Sequence, residues 1–131
     1  MLRFFIIGLG GAIGTLLRYF MGELDYRFSN GVFPVSTLVV NVTGSFVIGF
    51  LWEVVDRFVI SPDVRLFIFI GVLGGYTTFS TFSLETFNLM RDGEYRIAAI
   101  NVALSIILSI VAVFAGYIIS RILMNLFKQG A

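Results

Sequence analysis

The chain contains no cysteine. Disulfides, thiolate nucleophiles and cysteine-held metals are all excluded. Histidine is absent too, which removes the usual general base near neutral pH and the commonest metal ligand. Charge is scarce, with Asp, Glu, Lys and Arg making up 13% of the 131 residues. A soluble domain of this size needs far more charge to cover its surface. The net charge of +1 leaves no electrostatic footprint for nucleic acid. These absences exclude most enzyme classes, and none is expected here.

What is present is apolar: 58% of the residues, with a mean hydropathy of +0.98. Lipid is the solvent such a surface calls for, and the length suits one membrane domain. Four apolar stretches stand out, at about residues 2–21, 32–55, 64–90 and 97–126, each of the roughly 20 residues that a spanning helix needs. Glycines Gly10, Gly11 and Gly14 interrupt the first stretch, and no small-residue cleavage site follows before Arg18. It is therefore expected to be a span rather than a cleaved leader.

The connections carry turn chemistry. Glu23 to Arg27 with Ser29-Asn30-Gly31 joins the first two spans, and Arg91-Asp92-Gly93-Glu94 the last two. Between the second and third, Ser61 is placed to cap a helix with Pro62 at its first position. Trp52, Tyr19, Tyr26 and Tyr95 fall near span ends, where amphipathic rings favour the interface.

Cationic residues divide almost evenly between the two faces. The side holding both termini carries Arg3, Arg57, Arg65, Arg121 and Lys128, and the other carries Arg18, Arg27, Arg91 and Arg96. Orientation follows the Lys/Arg bias of short loops, and here that bias nearly vanishes. The expectation is insertion in both orientations, with one of each in the working unit.

Three constellations carry chemistry. In the first span, Gly8 to Gly14 invites a dinucleotide-binding reading, which fails because Ile13 occupies the last fingerprint position and no strand–helix alternation follows. Gly10 and Gly14 instead form a G-x-x-x-G pair for close helix packing. Arg18, near the span's end, either snorkels to the headgroups or offers an anion a positive pore mouth. In the second span, Thr37, Asn41 and Ser45 share one helical face, and a mid-span carboxamide needs a partner or a watery cavity. In the third, Gly74-Gly75-Tyr76-Thr77-Thr78-Phe79-Ser80-Thr81-Phe82 puts paired glycines and hydroxyls at membrane depth. That composition predicts a helix break near residues 74–78, tolerated only if buried in protein or lining a cavity. Its freed carbonyls could hold a small cation, and its helix N-terminus would face an anion. Phe79 and Phe82 follow on one face, and their ring edges are weakly positive. Glu85 lies one turn further, and Asn101, Ser105 and Ser109 give the fourth span its own polar stripe.

Taken in order, Gly10-Gly11-x-x-Gly14-x-x-x-Arg18-Tyr19, Thr37-x-x-x-Asn41-x-x-Gly44 and the Gly74–Phe82 run resemble the Fluc (CrcB) family of fluoride channels over essentially the whole chain. The resemblance implies an all-α integral membrane protein of four transmembrane helices with the third broken, assembled as an antiparallel homodimer with two pores. It implies passive, fluoride-selective export that relieves fluoride toxicity, across the plasma membrane of a prokaryotic cell (the inner membrane if Gram-negative). It places Phe79, Phe82, Asn41, Ser105, Thr37 and Thr81 along the pore, with Arg18 and Glu85 at its vestibules. A structural sodium ion would sit on the two-fold axis, held by the carbonyls of Gly74 and Thr77. Family members often carry Tyr where this chain has Asn101. The rivals are a small drug-exporting antiporter, which needs an intramembrane acid that the first span lacks, and a structural subunit, which has no use for a helix break.

Overall fold

The computed structural model describes residues 1–28 and 32–129, so the expected Ser29-Asn30-Gly31 connection lies outside the described residues. All regular structure among them is helical. Helix α1 runs Leu2–Phe28 and α2 runs Val35–Arg57. The third span is composite: α3 (Pro62–Arg65), a π-helical segment (Leu66–Leu73), α4 (Gly74–Tyr76) and α5 (Phe79–Arg91). Helix α6, Tyr95–Gln129, completes the bundle. Four spans are long and apolar enough to cross a bilayer.

Local chemistry sets several boundaries. Ser61 Oγ accepts from the Val64 N–H at 3.3 Å, capping α3 with Pro62 in its first turn. Helix α5 ends in a Schellman arrangement, with Glu94 N–H on Leu89 O at 2.8 Å and Gly93 N–H on Met90 O at 3.1 Å. Gly93 takes φ +84°, which a Cβ would disfavour. Helix α1, however, continues past the expected span end to Phe28, so Glu23 to Arg27 are helical rather than a loop. The π-helical stretch has no counterpart in the sequence reading.

Two ties confirm which ends share a face. Arg3 Nε reaches Asp63 Oδ1 at 3.3 Å, and Arg57 Nη1 donates to Asn125 Oδ1 at 2.9 Å. The start of α1, the α2–α3 connection and the end of α6 therefore lie together. Glu53 is 5% exposed there, and its carboxylate is paired with Arg57 one turn along α2. Removing Arg57 would leave a buried charge without its partner.

Helix packing rests on glycine. The expected G-x-x-x-G pair is used as such: a Cβ at Gly10 would stand 2.7 Å from Phe67 O, and one at Gly14 would meet Val72 O. The opposing surface is also glycine, since Gly71 faces Gly10 and Gly75 faces Gly11. A second seam joins α2 to α6, where Gly49 meets Val113 O and Gly116 meets Phe46 O. Without a hydrophobic drive between helices in lipid, such close backbone contact is the main attraction available. Gly8, by contrast, faces open space.

This difference is testable. Gly14→Val should destabilise the detergent-solubilised protein by about 1–3 kcal/mol or prevent its folding, because the added carbons meet backbone. Gly8→Ala should be neutral or stabilising by up to about 1 kcal/mol. Thermal unfolding of the two variants beside the wild type measures both, and equal melting temperatures would contradict the seam.

Candidate ion pathway

The site begins where the third span loses its helix. Thr77 (φ −76°, ψ 155°) and Thr78 (φ −150°, ψ 118°) are extended, so hydrogen-bonding groups of the backbone are released at membrane depth. Each released group must find a partner. The Thr78 N–H donates to Asn41 Oδ1 at 2.9 Å, and Asn41 Nδ2 donates to Thr78 O at 3.0 Å. One carboxamide thus pairs with both faces of one peptide residue, as a neighbouring strand would. A hydroxyl satisfies the start of α5: Thr78 Oγ1 accepts from the Thr81 N–H at 3.3 Å and donates to Thr81 Oγ1 at 3.0 Å. On the other side, the Thr77 hydroxyl and N–H both donate to Leu73 O, at 2.9 and 3.0 Å. Tyr76 OH lies 2.9 Å from Thr43 Oγ1. Thr43 already gives its proton to Val39 O at 2.7 Å, so the tyrosine is the donor. Gly44 leaves room for this, since a Cβ there would strike the Thr77 methyl.

A groove of about 470 Å³ runs along this break between α2, the third span and α6. Asn41, Phe79, Phe82 and Ser105 line it, together with Gly74, Thr77, Ser45 and Ser109. The two phenyl rings have centroids 5.4 Å apart at 50°. They differ in setting: Phe82 is 7% exposed and Phe79 is 77% exposed. The edge of the inner ring is fixed by packing, whereas the outer ring projects from the chain.

The remaining expected residues sit elsewhere. Thr37 and Thr81 line a second cavity of about 240 Å³ together with Arg18 and Glu85. There the Thr37 hydroxyl donates to Glu85 Oε1 at 2.7 Å. The expected pore residues are thus divided, with two of them grouped with the expected vestibule pair. Thr78 lines both cavities and is their common wall. Spacing places Thr37 and Asn41 on one face, but it does not reveal that the extended Thr78 comes between their surroundings.

Two participants escaped the sequence reading. Thr78 was visible only as part of the break, although its backbone and hydroxyl organise it. Thr86, one turn beyond Phe82, accepts from Asn101 Nδ2 at 3.0 Å and so links α5 to α6. Its hydroxyl is one of several polar groups along α5, so nothing in the sequence singled it out. Asn101 itself is 1% exposed and also accepts from Ser105 Oγ at 3.4 Å.

The expected cation site offers only neutral oxygens. Among the described residues no three acidic side chains gather, so the oxygens on offer are carbonyl and hydroxyl oxygens. In an unbroken helix the Thr78 N–H would close on Gly74 O, but here it goes to Asn41. The groove at Gly74 is open, with only Phe69 O within 4 Å of a would-be Cβ, at 3.8 Å. A hard cation accepts such oxygens, so the residues fit.

Known proteins give the sequence a lineage. The profile of the family described as "CrcB-like protein, Camphor Resistance (CrcB)" matches residues 5–117. A Parabacteroides distasonis protein named "Fluoride-specific ion channel FluC" is 43% identical over 128 residues, covering 98% of this chain and all of the relative. A protein of the same name from Elusimicrobium minutum is 46% identical over 124 residues, covering 93% and 96%. Another from Rhizobium etli is 47% identical over 124 residues, covering 94% and 99%. With a match across nearly its whole length and a broken third span built on the motif residues, this chain belongs to the CrcB family.

Proposed function

We propose that this chain is a passive, fluoride-selective channel that works as an antiparallel homodimer in a prokaryotic plasma membrane and lets toxic fluoride leave the cell. The observation that carries the reading is the pairing of Phe79 and Phe82 beside the Asn41–Thr78 break, in one groove with Ser105. The relatives' printed names, each a fluoride-specific ion channel, support it. The reading makes the protein a conduit, not an enzyme.

Fluoride is small and strongly hydrated, so a narrow path must replace its water with donors and still release it. The groove supplies donors of graded strength. Ser105 offers a hydroxyl, and Asn41 keeps one N–H beyond its bond to Thr78. The ring edges of Phe79 and Phe82 add weak positive potential without a full charge. Arg18 raises the anion concentration at the entrance, in the cavity with Thr37, Thr81 and Glu85. The exposure of Phe79 supports a second copy completing the wall. In an antiparallel pair that wall is made twice, which gives two pores. The carbonyls of Gly74 and Thr77 from both copies would hold a structural sodium ion between them. That ion supplies a fixed positive charge at membrane depth.

Three outcomes are expected. Phe79→Ile and Phe82→Ile should each cut fluoride flux from liposomes by at least about tenfold while the dimer elutes normally, because an aliphatic side chain has no positive edge. Asn41→Asp should lose at least as much, since it adds a negative charge to the path and cannot donate to Thr78 O. Normal flux in all three variants would sink the pore assignment. Separately, a reporter fused to the C-terminus should be detected on both faces of the membrane in comparable amounts. Detection on one face alone would contradict the antiparallel dimer.

A further inference from the structure

We infer that Asn101 and Thr86 are positioning residues that dictate which way the Ser105 hydroxyl points along the pathway. The inference rests on the channel reading above and adds to it a control on how tightly the ion is held. Neither residue lines the groove, whereas Ser105 does.

Donors and acceptors here follow a fixed order. Phe82 O can only accept, so the Thr86 hydroxyl, 2.8 Å away, spends its proton on it. Thr86 Oγ1 is then an acceptor toward α6, and the group 3.0 Å from it must be the Asn101 amide nitrogen. That orients the carboxamide, leaving Oδ1 on the side of Ser105. Ser105 Oγ, 3.4 Å from Oδ1, therefore donates inward. Asn101 is 1% exposed, so water does not compete for its carboxamide, while Ser105, 7% exposed, opens onto the groove. A helix carbonyl beside the inner phenyl ring thus sets the direction of a hydroxyl on the facing helix.

The consequence is a weak latch. A bond of 3.4 Å is long for O–H···O, so the proton is held loosely and can swing to an arriving anion. Once the ion departs, Asn101 Oδ1 takes the proton back. Binding stays weak enough for release, as conduction requires. Without the Thr86 hydroxyl, nothing fixes the carboxamide. Its NH₂ can turn to Ser105, whose own proton then faces the groove permanently. Fluoride is held more tightly and leaves more slowly.

The test measures fluoride flux against fluoride concentration for proteoliposomes of wild type, Thr86→Val, Thr86→Ser, Ser105→Ala and the Thr86→Val/Ser105→Ala double variant. The valine is nearly isosteric, and the serine restores the hydroxyl. Thr86→Val is expected to lower both the half-saturating concentration and the maximal flux by about threefold to tenfold, the worth of one hydrogen bond. Thr86→Ser is expected to match wild type, and Thr86→Val to add nothing in the Ser105→Ala background. If flux from Ser105→Ala is too small to compare, fluoride titration of thermal unfolding in detergent reads the same shift as tighter binding. A Thr86→Val protein with wild-type half-saturation, or one equally altered with and without Ser105, overturns the latch alone. A wild type that moves no fluoride removes the channel reading, and this role with it.

Discussion

Everything in this structure depends on the pairing of the Asn41 carboxamide with the backbone of Thr78. A helix can be opened at membrane depth only if the peptide groups it releases are answered, and lipid answers none of them. Asn41 meets the N–H and C=O of Thr78, with bonds of 2.9 and 3.0 Å, from a position four residues beyond Thr37 on α2. The Thr78 side chain then restarts the helix by capping α5. Because α5 begins at Phe79, its first and fourth residues are the two rings of the groove. The break therefore sets the phase and height of Phe79 and Phe82.

The glycine seams serve the same end. Gly10 and Gly14 on α1, with Gly71 and Gly75 opposite, let α1 lie against the backbone of the π-helical segment and α4, while Gly44 admits Thr77 to α2. Gly49 and Gly116 bring α6 up to α2 closely enough for Ser105 and Asn41 to line one groove. In lipid, where apolar burial between helices contributes little, this backbone contact is what holds polar residues of separate spans in register. The polar cavities and the dry glycine contacts are two aspects of one packing solution.

The four spans were legible because a bilayer imposes a length and a composition, and both are properties of single segments. The break was legible for a related reason: Gly74-Gly75 and the Thr77-Thr78 pair are poor helix formers side by side. The cap at Ser61 is local chemistry of the same kind, whereas Gly93 was read only as part of a connection. What sequence could not supply is which polar groups meet across spans. Asn41 was expected to need a partner or a watery cavity, but that the partner is the Thr78 backbone was not visible. Thr37 and Thr81 were grouped with the phenyl rings, yet they line the cavity of Arg18 and Glu85. Thr86 passed unremarked because its partner Asn101 is 15 residues away on another helix. The extension of α1 to Phe28 was hidden by charges that suggested a loop. No composition signal marks the π-helical turn at Leu66–Leu73.

The most direct measurement is efflux from liposomes that contain the purified wild-type protein and are loaded with equal fluoride and chloride, each followed by its own electrode. The account predicts rapid loss of fluoride while chloride stays inside. Equal loss of both ions, or retention of both by a folded protein, would contradict it.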